Sequence, residues 1–214
     1  MVRALFFDLG NVLVPFDYGR FYRRLEPHSS LAAEEIGRRF EASEWPALYE
    51  TGARSTAEFY DGCCEALGLQ MPFERFAEAW SEIFDSSANF DADLFGGLAS
   101  RYTLVLLSNT NELHFEFLLK QFPWLRLFHQ FALSFRVGEK KPGPRIYHAA
   151  IEMADVQPGD AFYTDDVAEY VGAARSLGIN HSVVFTNPAH LIEEMTAAGI
   201  HLDGRFDVPA QQKK

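Results

Sequence analysis

Apolar residues recur in two patterns along the chain, and the change between the patterns divides the sequence. Near the N-terminus and again after residue 92, short uninterrupted apolar runs alternate with segments of helical spacing. Between residues 17 and 91 only the helical spacing occurs, as in Phe73, Phe76 and Trp80, which share one helical face. We therefore predict strands and helices in the outer parts and an all-helical insertion of about 70 residues between them.

Five of the apolar runs predict strands that are buried on both faces. These runs are residues 5–7, 103–107, 131–135, 161–163 and 182–185. Buried strands that alternate with helices are typical of a parallel sheet covered by helices on both sides. The sequence thus predicts an α/β fold, with a loose polar tail at residues 204–214.

Polar side chains stand where four of these strands end. Asp8 follows the first strand, Ser108 and Asn109 the second, Lys140 and Lys141 lie just after the third, and Asp165 and Asp166 follow the fourth. Ligands of open parallel sheets bind beyond the carboxyl ends of the strands. Any one of these residues suits a turn or a helix cap, but all of them together favour a functional site at one edge.

Such a set of residues can support only a few kinds of reaction. Three carboxylates at one edge repel each other unless a cation binds among them, and ligands that are all oxygen favour Mg2+. One carboxylate can then act as a nucleophile towards a phosphoryl group, with Ser108 and a lysine placed to hold the phosphate oxygens. The sequence contains no P-loop, GxGxxG, zinc-ligand spacing or Ser-His-Asp arrangement that competes with this interpretation.

Composition narrows the partners and the compartment. The 214 residues carry a net charge of -11, which argues against nucleic acid or an anionic membrane as the main partner. No apolar run is long enough to span a bilayer, and the N-terminus lacks the pattern of a signal peptide. Cys63 and Cys64, the two cysteines, are neighbours in a helical segment and cannot bridge each other there, so we expect reduced thiols and a cytoplasmic protein.

Four short motifs carry a resemblance to a known family. They are FDLGNVL at residues 7–13, LSNTN at 107–111, KKPGPRIY at 140–147 and YTDD at 163–166. In this order they resemble the four motifs of the haloacid dehalogenase superfamily, and their wording is similar to the branch of bacterial sugar-phosphate phosphatases that includes alpha-glucose-1-phosphate phosphatase. The resemblance implies a Rossmann-like core domain of residues 1–16 and 92–214, with a helical cap domain of residues 17–91.

The resemblance also implies roles for individual residues. Asp8 would be the nucleophile, Lys141 would pair with it and with the phosphate, and Ser108 and Asn109 would bind the phosphate. Lys140 is expected to be a solvated neighbour of Lys141.

A Mg2+ ion is the cofactor that the resemblance implies. Its ligands would be Asp8, the backbone carbonyl of Gly10, Asp165 and Asp166, with Asp166 in direct contact. The helical cap would close over the site and shape the pocket.

Two positions depart from the family pattern. Gly10 stands where many family phosphatases carry a second Asp, a general acid commonly worth about 10² to 10⁴ in rate. Asp17 and Asn11 lie nearby in sequence, although the sequence does not place either in space. Tyr170 stands where an Asn is frequent, which removes an expected hydrogen bond around the site.

The function expected from these residues is Mg2+-dependent hydrolysis of a small phosphorylated metabolite, with a sugar phosphate suggested by the resemblance. One alternative is a metal-independent 2-haloacid dehalogenase, which the Asp165-Asp166 pair disfavours. The other is a non-catalytic family member that lost its acid at Gly10, which the presence of Asp8 and Lys141 disfavours. The oligomeric state is not defined by the sequence, and a monomer is compatible with it.

The side chains that contact the substrate from the cap are not identified by the sequence. Phe16, Tyr18, Trp45 and Tyr49 suit a substrate contact and the interior of the helical cap equally well.

Overall fold

A five-stranded parallel sheet forms the centre of the computed structural model, which describes residues 1–202; the predicted tail at 204–214 lies outside the described residues. The strands are β1 (Ala4–Phe7), β2 (Thr103–Ser108), β3 (Gln130–Leu133), β4 (Ala161–Asp165) and β5 (His181–Val184). Their order across the sheet is β3-β2-β1-β4-β5, and every pairing is parallel. The predicted α/β, Rossmann-like fold is confirmed.

Helices cover both faces of this sheet. Even-numbered β1 residues such as Phe6 pack with α9 (Pro144–Ala154) and α10 (Ala168–Ser176). On the other face, Phe7 packs in a second cluster with the remaining helices of the α/β part. These helices are α6 (Ala92–Ala99), α7 (Glu112–Gln121) and α11 (Pro188–Ala197). Burial on both faces explains why β1 and the middle of β2 are apolar throughout.

The segment between β1 and α6 is helical, as the spacing predicts. It contains α1 (Tyr18–Leu25), α2 (Ala33–Ala42), α3 (Trp45–Glu50), α4 (Thr56–Leu67) and α5 (Phe73–Ser81). Helix α4 begins at a capping box formed by Ser55 and Glu58 and ends at Gly68, whose φ of 61° is the left-handed conformation that glycine tolerates.

Trp80 lies at the centre of this helical segment. Its ring centroid is 4.8 Å from that of Phe21, 5.2 Å from Phe59 and 5.4 Å from Phe40. The aromatic stripe on α5 therefore forms an interior, and that interior is continuous with the apolar cluster on the α6 face of the sheet. The division into a core of residues 1–16 and 92–214 and a cap of 17–91 stays a prediction.

The predicted end of the third strand is wrong. The third strand ends at Leu133 instead of Phe135, because Ser134 begins the short helix α8 (Ser134–Val137). Helix α5 ends at Ser81, and Phe84 beyond it makes an isolated bridge with Phe16.

The described part of the chain also bears on two expectations from composition. Cys63 and Cys64 are both free. None of the helices in residues 1–202 is long and apolar enough to cross a membrane.

Candidate active site

The carboxyl ends of the three central strands bring the sequence-predicted site residues to one edge. Asp8 directly follows β1, and its backbone N–H donates to Thr164 O on β4 at 3.1 Å. Asp165 is the last residue of β4, and Ser108 is the last residue of β2. All three side chains are buried, although each is polar.

Lys141 joins the ends of all three strands through its ammonium group. Its Nζ lies 2.8 Å from Asp8 Oδ1, 2.5 Å from Asp165 Oδ2 and 3.1 Å from the carbonyl oxygen of Leu107. The three N–H bonds of an ammonium thus have three acceptors, which is the arrangement that makes a buried charge tolerable. Burial lowers the pKa of Lys141, but the carboxylates of Asp8 and Asp165 outweigh that effect and raise it.

Asp8, Asp165 and Asp166 form a carboxylate cluster. One oxygen from each lies within 4.8 Å of the others. Asp165 is already committed to the protein, since Oδ2 accepts from Lys141 and from the Tyr163 hydroxyl while Oδ1 accepts from Val167 N at 2.9 Å. Asp166 is partly exposed and accepts from Asn11 Nδ2 at 3.0 Å. Asp166 is therefore the most solvent-accessible carboxylate of the three.

The electrostatics of this cluster leave negative charge without full compensation. Burial raises the pKa of Asp8 to about 7, the Asp165 carboxylate adds to the rise, and the Lys141 ammonium opposes it. Burial likewise raises the pKa of Asp166. Carboxylates that resist ionisation in this way favour a bound cation, and a set of oxygen donors fits Mg2+.

The loop after β1 is fixed by Asn11. Its backbone is left-handed, with a φ of 57°, and its side-chain amide holds Asp166. Asn89 Nδ2 donates to the carbonyl oxygen of Asn11 at 2.9 Å, so a residue between α5 and α6 holds this loop in place. The carbonyl oxygen of Gly10, a predicted metal ligand, accepts from Val12 N at 2.7 Å, which leaves it one lone pair.

The side chain of Asn109 is used to position Lys141. Asn109 Oδ1 accepts from Lys141 N at 2.7 Å, and Asn109 Nδ2 donates to Lys141 O at 3.0 Å. Both ends of the amide thus hold the backbone of Lys141, and the Nδ2 group has a second N–H that this pair does not use. Ser108 lies beside Asn109 and lines the same cavity.

A cavity of about 30 Å³ opens beside the loop after β1. On one side the cavity is lined by Gly10, Ser108 and Asn109 of the α/β part. On the other side it is lined by Phe16, from the loop after β1, and by Tyr18 and Glu50, from helices α1 and α3. Of the aromatic residues that the sequence leaves open, Phe16 and Tyr18 thus face the cavity.

The other two aromatic residues belong to the interior of the helical segment. Tyr49 stacks on Phe59 with ring centroids 4.3 Å apart. The ring of Trp45 fills the space beside Gly62, where an added Cβ would lie only 2.0 Å from Trp45 Cε2.

Phe16 occupies the space beside Gly10. A Cβ atom added to Gly10 would lie 2.6 Å from Phe16 Cε1, closer than real Cβ contacts come. The ring is itself held by Tyr18 and Phe84, at centroid distances of 5.3 and 5.9 Å. The ring of Phe16 therefore fills the space that the side chain of a second carboxylate at position 10 would need.

The expectation that Lys140 is merely solvated is wrong. Lys140 Nζ forms an ion pair with Glu50 Oε2 at the end of α3, and only about a third of the lysine side chain is exposed. The physical reason is that the end of α3 packs against the loop that carries Lys140 and Lys141. Sequence spacing does not reveal this contact.

A buried polar network that sequence reasoning missed joins α5 to α7. Asn111 caps α7 and its Oδ1 accepts from His114 N and from Trp80 Nε1, at 3.1 and 3.3 Å. Asn111 Nδ2 lies 3.0 Å from His114 Nδ1, and His114 Nε2 lies 2.8 Å from Trp80 O. The signal in the sequence was Asn111 at a helix start with His114 three residues later.

The residues flagged near the site have other surroundings. Asp17 caps α1 by accepting from Gly19 N at 2.7 Å and pairs with Arg23, both in exposed positions. The ring of Tyr170 lies 5.3 Å from Lys141 Nζ, so an aromatic face takes the place of the expected amide.

A second cleft lies at the opposite edge of the sheet. It has a volume of about 630 Å³ and is lined by residues before or at the start of strands, among them Arg3, Thr103 and His129. None of the described residues that line this cleft carries a carboxylate, so the candidate catalytic carboxylates lie elsewhere.

Fold and site together define a hydrolase of the α/β class with an aspartate at the end of the central strand. The model of the haloacid dehalogenase-like hydrolase family matches residues 2–178, and the chain belongs to this family.

Three comparisons show how similar individual relatives are. The chain is 25% identical over 187 residues to D-ribitol-5-phosphate phosphatase of Bacteroides thetaiotaomicron, covering 83% of this chain and 89% of that protein. It is 25% identical over 222 residues to a phosphatase of Mycobacterium tuberculosis, covering 95% and 98%. A crystal structure of a family enzyme from Bacteroides thetaiotaomicron, in complex with magnesium and inorganic phosphate, superposes with a TM-score of 0.80 at 27% identity and covers 89% of this chain and 99% of that one.

Proposed function

We propose that this protein is a Mg2+-dependent phosphatase that hydrolyses a small phosphorylated metabolite through a phosphoryl group carried on Asp8. The observation that carries the proposal is the placement of Asp8 at the end of the central strand, paired with the Lys141 ammonium and clustered with the carboxylates of Asp165 and Asp166. Two relatives named as phosphatases, and a structural relative bound to magnesium and phosphate, support it.

Asp8 is the nucleophile in this proposal. A carboxylate oxygen attacks phosphorus, the bond from phosphorus to the ester oxygen breaks, and the leaving oxygen takes a proton from water and departs as the alcohol. Water then attacks the phosphoryl group on Asp8 and releases phosphate and the free carboxylate. Lys141 keeps Asp8 oriented throughout and places positive charge beside the phosphoryl oxygens.

Mg2+ fits the residues at this edge. Asp8 and Asp166 offer carboxylate oxygens, Gly10 offers a carbonyl with one lone pair unused, and Asp165 acts from behind by holding Lys141 and the turn at Val167. When bound, the ion would neutralise charge on the cluster and on the phosphate.

The phosphate oxygens opposite the carboxylates would contact Ser108. Its side chain is buried at the end of β2 and lines the cavity, so its hydroxyl is available at fixed geometry. Asn109 contributes by holding Lys141 through two hydrogen bonds, which makes it a positioning residue.

The test is hydrolysis of an aryl phosphate with and without Mg2+, by the native protein and by Asp8→Asn. An aryl phosphate has a good leaving group and does not depend on a general acid at position 10. We expect turnover only with both Mg2+ and Asp8, and we expect Asp61→Asn, an exposed carboxylate on α4, to retain native activity. Absence of turnover by the folded native protein would overturn the proposal.

The dehalogenase alternative uses the same nucleophile on carbon and needs no metal. It leaves the gathering of three carboxylates unexplained, because nothing would then offset their repulsion. Chloroacetate serves as the discriminating substrate: chloride release without Mg2+ would establish that alternative instead.

A further inference from the structure

Glu50 is a buried carboxylate that the proposed chemistry does not use. It ends helix α3, is only 9% exposed, and lines the cavity together with Gly10 and Ser108 from the other side. A buried charge in a cavity wall needs a partner or a task. Glu50 lies across the cavity from the residues proposed to bind phosphate. The leaving group of a phosphate ester would lie on this side of the cavity.

The partners of Glu50 leave its charge facing inward. Oε2 pairs with Lys140, which does not line the cavity, and Oε1 lies 3.5 Å from the hydroxyl of Tyr18, which does. Lys140 therefore compensates Glu50 from behind. The carboxylate and the phenol are the polar groups from residues 17–91 that line this cavity, and the remaining lining residues of that segment, Ile83 and Phe84, are apolar.

The cavity is too small for water to shield this carboxylate. A volume of about 30 Å³ holds roughly two water molecules, so a leaving group that enters must displace this water and touch the walls directly. A hydroxyl on the leaving group can donate to Glu50. A second phosphate or a carboxylate on the leaving group would face a negative charge in a poorly solvated space.

We propose that Glu50 is a specificity-determining residue, which selects phosphate esters with a neutral, hydroxyl-bearing leaving group and rejects esters whose leaving group carries a second anion. This inference rests on the proposed phosphatase function. Tyr18 supports the selection, because its hydroxyl can accept from or donate to the same leaving group.

The experiment compares glycerol 3-phosphate with 3-phosphoglycerate, which differ in having a hydroxymethyl or a carboxylate group at the same end. The quantity measured is the ratio of kcat/KM for the two substrates, with an aryl phosphate as the reference. The variants are Glu50→Gln, which removes the charge at nearly constant shape, and Glu65→Gln as a matched control on an exposed face of α4.

The native protein should favour glycerol 3-phosphate, and Glu50→Gln should reduce this ratio roughly tenfold or more, since hydrogen bonds to charged groups carry effects of that size. Glu65→Gln, which leaves the cavity wall unaltered, should keep both the native ratio and the native activity on the aryl phosphate. If Glu50 has only a structural role, Glu50→Gln should lower kcat/KM for all three substrates together and leave the ratio unchanged.

A second variant keeps the inference testable if Glu50→Gln fails to fold. Lys140→Met removes the cation behind Glu50, so rejection of 3-phosphoglycerate should become stronger and the ratio should rise. Aryl phosphate hydrolysis with an unchanged ratio in these variants would overturn this inference alone. No aryl phosphate hydrolysis by the native protein would overturn the proposed function and the inference with it.

Discussion

The ammonium of Lys141 lies 2.8 Å from Oδ1 of Asp8, deep in the protein, where the lysine side chain is 1% exposed. The same nitrogen lies 2.5 Å from Asp165 Oδ2, so one cation stands between carboxylates from two neighbouring strands. Removing it would leave two buried anions side by side, and this relationship leads to the first prediction.

Lys141→Met should both inactivate and destabilise the protein. Breaking a buried ion pair by removing one partner typically costs about 3 to 5 kcal/mol of unfolding free energy. Arg75→Met is the control, since the pair of Arg75 with Glu78 is exposed on α5 and should cost about 1 kcal/mol or less. Urea unfolding of both variants checks the prediction, and equal losses of stability would contradict it.

Asn111→Ala should cost more than an ordinary helix cap. Loss of an N-cap typically costs about 1 kcal/mol, and the buried groups of Trp80 and His114 left without partners should add about 1 to 3 kcal/mol. Asn187→Ala is the matched control, because Asn187 caps α11 in the same way from a more open position. Similar unfolding free energies for the two variants would show that the network joining α5 to α7 contributes little.

Acid should destabilise the protein through His114. Burial lowers the pKa of His114 to about 3, whereas an unfolded histidine titrates near its ordinary value of 6.5. Below pH 6.5 the unfolded chain then binds a proton that the folded chain excludes, so stability falls as pH falls, by up to about 1.4 kcal/mol per pH unit.

The check on His114 is the unfolding free energy at pH 7 and pH 5. The native protein should lose about 2 kcal/mol from this group, and His114→Gln should remove that share of the pH dependence. His148→Gln, at an exposed position on α9, should leave the slope as it is in the native protein. A native slope retained by His114→Gln would refute the assignment.

Restoring an acid at position 10 should require space as well as charge. In Gly10→Asp the new Cβ meets the ring of Phe16, and such overpacking typically costs about 1 to 3 kcal/mol. Gly10→Asp with Phe16→Ala should relieve the clash and raise the hydrolysis of alkyl phosphates relative to aryl phosphates, by about tenfold or more. Phe16→Ala alone is the control for the cavity, and an alkyl-to-aryl ratio no higher in the double variant would contradict this account.

The sheet and its edge were predictable because local patterns determine them. Continuous apolar strands report burial on both faces, and parallel strands place their carboxyl ends together, so Asp8, Ser108 and Asp165 could be assigned to one edge without coordinates. The order of the strands around β1 supplies the rest of that arrangement.

Contacts between the helical segment and the α/β part were not predictable. Glu50 and Lys140 are 90 residues apart, and Trp80 and Asn111 are 31 apart, so their meeting depends on how helices dock and leaves no periodic signal. The ring of Phe16 beside Gly10 has the same character, because a clash is a property of packing. The sequence therefore predicts the reacting groups better than the groups that select the substrate.

The most direct test of the central claim is to trap the phosphoryl group on the protein. The native protein is mixed with an aryl phosphate and Mg2+, quenched in acid during turnover, digested, and its peptides are weighed by mass spectrometry. We predict one added phosphoryl group on the peptide that contains Asp8, and none in Asp8→Asn. Turnover with an unmodified Asp8 peptide, or with the phosphoryl group on another residue, would contradict the account.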